Sequence, residues 1–219
     1  MLKFMQSFLF PCFLFLLAAQ AGAQRRFEAG LVLGANLSQV DGDAYAGYRR
    51  LGIETGIKGI VRLSDRFYFS VQWLYSQRGS RPSSREELRD FGNSINIGIY
   101  YVELPFLLHI APGDKKKGIF PVELFTGFSV GRLIRSKIQE TGANVRFYPF
   151  LQINEIRDQF NPTDLSHLVG IQYNVSQEVA FYLKHTMSLR NLYTPLDRND
   201  PYNQLEPYYL TAGANYIWR

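Results

Sequence analysis

The chain has 219 residues, 46% apolar and 20% charged, with an aromatic content of 15% carried by 17 Phe and 14 Tyr. A mean hydropathy of -0.15 excludes both a helical membrane bundle and wholesale disorder. The single cysteine, Cys12, excludes an internal disulfide, and a net charge of +5 without clustering is too weak to argue for nucleic acid.

Residues 1–23 read as a cleaved secretory signal. Lys3 supplies the positive start, Phe8 to Ala19 the apolar core, and Ala21-Gly22-Ala23 the small-x-small cleavage site. The core is short for a spanning helix. Cys12 follows Leu9-Phe10-Pro11, a poor match to a lipoprotein box. Residues 24–219 are then one exported domain without cysteine, which suits a Gram-negative envelope.

From Phe27 onward, strand-length segments alternate with period two. In the first, Phe27, Leu31, Leu33 and Leu37 oppose Glu28, Gly30, Gly34 and Asn36. In the second, Leu51, Ile53, Ile57 and Val61 oppose Glu54, Lys58 and Arg62. The third sets Phe67, Phe69, Val71, Trp73 and Tyr75 against Tyr68, Ser70, Gln72 and Arg78. The fourth carries Val102, Leu104, Phe106, Leu108 and Ile110 against Glu103, Pro105 and His109, but Ile95, Ile97 and Ile99 fall on the other parity. A β-bulge near Tyr100 would return those isoleucines to the apolar face. Segments around Val122–Gly131, Ser166–Val175, Val179–Arg190 and Tyr208–Trp218 repeat the pattern, the last ending on Tyr216 and Trp218. Short connections (64–66, 112–118, 176–178) alternate with long polar ones (39–50, 79–94, 134–164, 192–206).

This predicts an all-β fold, an eight-stranded antiparallel up-and-down transmembrane β-barrel with both termini on the periplasmic side of a bacterial outer membrane. A soluble lipocalin-like ligand-binding barrel has the same alternation with its apolar face inward. The polar face favours the membrane form. Its charges are sparse, of mixed sign and set among Gly, Ser, Thr, Asn and Gln, as a narrow lumen requires. The expected lumen charge network is Glu28, Glu54, Lys58, Arg62, Arg78, Glu103, Glu123, Lys184 and Arg190. Aromatics near strand ends suit girdles at the two interfaces.

Several stretches resemble the PorT-like outer-membrane β-barrel family of Bacteroidetes. They are Gly30-Leu31-Val32-Leu33-Gly34-Ala35-Asn36-Leu37-Ser38 with Asp41-Gly42-Asp43, Leu74-Tyr75-Ser76-Gln77-Arg78-Gly79, and Tyr101-Val102-Glu103-Leu104-Pro105-Phe106-Leu107-Leu108. Gly127 and Gly170 also fit, while residues 134–164 and Lys184 to Asn191 depart from the family pattern. The resemblance implies a small outer-membrane barrel without assigned catalysis, some of whose relatives are linked to type IX secretion.

No Gly-x-Ser-x-Gly, phosphate loop or His-Glu-x-x-His occurs. His109, His167 and His185 are far apart, and His109 is expected in the lumen beside a carboxylate. No cofactor or metal is expected, and eight strands leave a lumen that side chains fill rather than a conducting pore. The expected partners are outer-membrane lipid and lipopolysaccharide, the barrel-assembly machinery, and a secretion-system or other envelope protein. Lys115-Lys116-Lys117 forms a basic turn. The long connection 134–164 contains Phe147, Tyr148 and Phe150, too apolar for free disorder and a candidate partner-binding loop. The alternative reading is an outer-membrane enzyme with its site at the barrel mouth.

Overall fold

A computed structural model describes residues 27–43, 45–89, 94–116, 118–141, 157–193 and 205–218. The signal segment 1–23, Lys117 and the loop residues Phe147, Tyr148 and Phe150 lie outside the described residues.

Eight strands form one closed antiparallel barrel in sequence order: β1 (Phe27–Asp41), β2 (Arg50–Arg62), β3 (Phe67–Ser80), β4 (Ser94–Ile110), β5 (Val122–Thr141), β6 (Thr163–Asn174), β7 (Val179–Ser188) and β8 (Glu206–Trp218). β1 pairs with β8, from Ala29↔Trp218 to Asp41↔Glu206, and this seam removes every free sheet edge along the shared height of the wall. A short helix, α1 (Ser84–Arg89), lies between β3 and β4. Both described chain ends and the short turns lie at one end, the turn end. The long connections lie at the other, the loop end.

The faces are inverted relative to a soluble protein. Leu33, Leu51, Ile57, Trp73 and Phe128 are all more than half exposed on the outer wall, whereas Glu54, Lys58, Arg78, Glu103 and Lys184 are at most 2% exposed inside it. A wall so apolar is stable only against hydrocarbon, so the soluble lipocalin-like alternative is excluded.

The expected slip in β4 is corrected. β4 alternates without interruption, and Ile95, Ile97 and Ile99 point inward with Tyr101, Glu103 and His109. The bulge belongs to β5: Tyr100 pairs with Arg135 and Tyr101 with Leu133, which leaves Ile134 as the extra residue. Before it, odd positions of β5 face inward; after it, Ser136 and Ile138 do. The three isoleucines join Val40, Tyr45, Tyr101, Phe160, Leu192, Tyr193 and Leu205 in an apolar cluster that fills the loop end of the lumen. Reading apolar as outward misplaced them because the interior is polar only below this cap.

The long connection is also shorter than expected. β5 continues to Thr141 and β6 begins at Thr163, so the link covers residues 142–162. Beyond the Arg132↔Thr163 pair, β5 has a ladder partner on β4 alone among the described residues.

Two local features shape the lumen. The β3–β4 ladder is interrupted between Val71↔Phe106 and Leu74↔Glu103, beside Pro105, which has no N–H to give. Lumen glycines leave room for lumen rings. A Cβ on Gly170 would sit 2.3 Å from Phe125 Cζ, and one on Gly213 would sit 2.6 Å from the Tyr182 hydroxyl.

Candidate functional site: the charged lumen

Strand parity places every inward charge, and barrel closure brings residues from distant strands together. At the turn end, Arg62 donates two hydrogen bonds to Glu28, at 2.9 and 2.8 Å. Just inside, Glu123 accepts from the Tyr68 hydroxyl, from Gln172 at 2.9 Å and from Asn174 at 2.8 Å. At mid-height, Lys184 Nζ lies 2.8 and 2.9 Å from the two Glu54 oxygens, and Tyr182 donates to the same carboxylate at 3.1 Å. Below the apolar cap, Arg78 spans Glu103 at 2.6 Å and Asp164 at 3.0 Å. Its guanidinium is flanked by the rings of Tyr101 and Tyr209, 4.1 and 4.8 Å away, and Tyr209 donates to Glu103 at 3.0 Å.

Lys58 is buried at mid-lumen without a hydrogen-bond partner among the described residues, 5.8 Å from the Tyr68 ring centre. It lines a cavity of about 10 Å³ with His109 and Asn215, room for about one water. A wider vestibule of about 210 Å³ opens at the turn end, walled by Arg62, Tyr68, Lys115, Phe120 and Glu123. The cations Lys58, Arg62, Arg78 and Lys184 face the carboxylates Glu28, Glu54, Glu103, Glu123 and Asp164. This near-balance limits the cost of taking charge out of water.

Arg190 does not join them. It lies past the end of β7 and is exposed, so strand parity does not govern it. His109 meets the Ser70 hydroxyl at 2.9 Å and stacks on Tyr68, rather than pairing with a carboxylate. His167 and His185 sit on other strands beside Thr126 and Tyr48. Among the described residues no three His, Cys, Asp or Glu converge as metal ligands.

Asp164 is the residue that sequence reasoning missed, taken as the end of a long loop. Its even parity with Ser166, Leu168 and Gly170 was the available signal. The tyrosines 68, 101, 182 and 209 all stood on the polar parity, yet only the closed barrel shows them flanking or hydrogen-bonding the charges.

Outside the strands, the carboxylates of Asp43, Asp65 and Glu86 have displaced acidities, the last lowered, against the effect of burial, by hydrogen bonds from Ser83 and the Ala46 amide. Burial pushes the Asp43 carboxyl up to about 6, against the pull of Ser80 and the Tyr45 amide. The Lys115 ammonium, 2.8 Å away, holds Asp65 in its exposed turn below the usual carboxylate range.

An apolar outer wall around a charged, side-chain-filled interior defines a transmembrane barrel of the bacterial outer membrane. The sequence agrees: residues 18–194 match the family described as outer membrane protein beta-barrel domain, and the chain belongs to that family. No curated protein matches the chain. Among solved structures, it is similar to Ail, the attachment invasion locus protein of Yersinia pestis, in complex with the heparin analogue sucrose octasulfate. That match has 13% identity and a TM-score of 0.47, covering 88% of this chain and 99% of that one. Neisserial surface protein A matches at 12% identity and a TM-score of 0.44, covering 87% and 96%. OprG from Pseudomonas aeruginosa matches at 10% identity and a TM-score of 0.36, covering 88% and 94%.

Proposed function

We propose that the protein is a non-catalytic outer-membrane barrel that works through its loops rather than its lumen, as an interaction or secretion-associated component of the envelope. The observation that carries this reading is the sealed interior. Among the described residues, the Arg78–Glu103–Asp164 bridge and the apolar cap above it close the lumen to a solute, and the vestibule at the turn end does not continue through them. What remains to act is the set of long connections at the loop end, including Phe147, Tyr148 and Phe150.

In this reading residues 1–23 direct export and are removed, and the barrel inserts with both termini and the short turns on the periplasmic side. The alternation of short and long connections supports that orientation. The outward Tyr216 and Trp218 on the closing strand support handling by the barrel-assembly machinery. The PorT-like stretches support a Bacteroidetes origin and a link to type IX secretion.

Two measurements test the proposal. In a planar bilayer the purified barrel should give no steady ion conductance; a stable ohmic step would show an open lumen and overturn the reading. In envelopes of the source cell, crosslinking should capture a discrete protein partner that is lost when residues 144–153 are deleted. Capture unchanged by the deletion would remove the loop from the proposed role.

A further inference from the structure

The outer wall is not apolar all the way round. On β1 to β4 the outward positions between the two rims carry no histidine and no charged side chain. On β5, β6 and β7 the outward positions include Thr126, His167 and His185. These three surround Val169. Its ladder partners are Thr126 on one side and His185 on the other, and His167 is the next outward residue of β6. Val130 and Leu165 follow toward the loop end, Leu124 and Ile171 toward the turn end, and all four are exposed. The polar group therefore lies inside the lipid-facing band, not at its rim.

The ladder brings the two histidines level. Successive partners Leu33, Thr55, Tyr75, Val102 and Arg132 lead from the middle of β1 to the loop-end rim of β5, so each step across to the next strand climbs. His185, the β7 partner of Val169, thus rises to the height that His167 reaches by one outward step along β6. Diagonal neighbours of this kind are roughly 7–8 Å apart.

Their open valences are opposite. Thr126 donates its one hydroxyl hydrogen to the Leu168 carbonyl at 3.0 Å, so His167 Nε2, 3.2 Å from that hydroxyl, is the donor to it, and His167 Nδ1 is left as an acceptor. The Tyr48 hydroxyl lies 2.9 Å from His185 Nε2 and has no other acceptor among the described residues, so it donates there and His185 keeps its hydrogen on Nδ1. Neither Nδ1 has a hydrogen-bond partner among the described residues. Hydrocarbon offers none, and polar side chains at this depth are stable where they meet protein. One open acceptor and one open donor, side by side at one height, complement the same two groups turned through half a circle about an axis parallel to the barrel. The patch holds no charge that would call for an opposite one.

We infer that two copies of this barrel associate side by side in the membrane through β5, β6 and β7, His185 of each copy donating to His167 of the other across a two-fold axis near Val169. Such a face is its own complement, as a two-fold dimer requires. The inference goes beyond the role proposed above and holds whichever end of the barrel faces the periplasm.

The test uses the mature chain, residues 24–219, which has no cysteine. It is folded into phosphatidylcholine vesicles and checked by its heat-dependent gel shift. Under copper phenanthroline, Val169→Cys should form several-fold more disulfide-linked dimer than Ile57→Cys on the opposite wall. That comparison leaves both histidines in place. Association is then followed by energy transfer between copies labelled at Asp114→Cys, in an exposed turn, as the vesicles are diluted with lipid. His167→Leu and His185→Leu should each keep the gel shift and weaken association at least about tenfold, since either change removes two symmetry-related hydrogen bonds. The double change should be no weaker than either single one, because the same two bonds are already gone. Equal crosslinking at the two walls, energy transfer no greater than random encounter gives, or association unmoved by both leucine changes would each overturn the inference. So would purified copies that stay monomeric while Val169→Cys crosslinks to a different protein in cells.

Discussion

At the scale of single residues, the lumen turns on Arg78. Its two carboxylate partners and two flanking rings are all buried, so removing it strands Glu103 and Asp164 together. Breaking a buried pair costs about 3–5 kcal/mol. We expect Arg78→Ala to lower the unfolding free energy of the reconstituted barrel, read from urea titration, by that amount. Glu103→Ala should cost less, because Asp164 still holds the guanidinium. Ile57→Leu on the lipid-facing wall should change the same free energy by less than about 0.5 kcal/mol. A second residue-scale effect belongs to Asp43, whose carboxyl titrates near 6 when buried against 3.8 when free. The protonated form is favoured in the folded loop. Its contribution is complete below pH 3.8 and is lost as pH rises through about 6, with an upper size of roughly 3 kcal/mol. Protection factors at Tyr45, with the intrinsic pH dependence of amide exchange divided out, should therefore be higher at pH 4.5 than at pH 7.5. Asp43→Asn should flatten that difference in protection.

At the scale of elements, the bulge in β5 controls which residues face outward and which face the cap. It puts both Ile134 and Arg135 on the outer wall, so the parity changes there while Leu133↔Tyr101 and Arg135↔Tyr100 hold the register. In a chain lacking Ile134 those two pairs become neighbours in a regular ladder, so a cysteine placed at Lys137 should keep its reactivity toward a water-soluble maleimide, and one placed at Ser136 should stay protected. Exchanged labelling at the two sites would mean that the β4–β5 register slides instead. The same element shows where sequence reading reached its limit. Strand number, pairing order and the inward parity of Glu54, Lys58, Arg78 and Glu103 follow from alternation, because a period of two residues survives in the sequence whatever the barrel encloses. The inward isoleucines of β4 did not follow, since an apolar residue carries no mark of which apolar environment it meets. Arg190 was misplaced because parity was carried past the last ladder pair of β7. The pairing of Glu54 with Lys184 was not readable either, because it crosses the barrel between strands that are not neighbours in the sheet.

At the scale of the whole molecule, the wall and its loops separate cleanly. The eight strands and their seam are complete without residues 144–153. Deleting that segment should leave the heat-dependent gel shift intact while abolishing partner capture. Loss of the gel shift would instead assign the segment to the wall.

The lumen bonds also constrain the order of events during assembly. Glu54 and Lys184 are 130 residues apart, Glu103 and Tyr209 are 106 apart, and Arg78 and Asp164 are 86 apart. None of these contacts forms within a single hairpin. A β2–β3 hairpin entering the bilayer by itself would carry Glu54 and Arg78 without their partners. Basic side chains at the bilayer midplane cost about 2–4 kcal/mol each. Strands that must bury such charges together have reason to cross together. The kinetic barrier to membrane entry should therefore lie late, close to the moment when β1 meets β8.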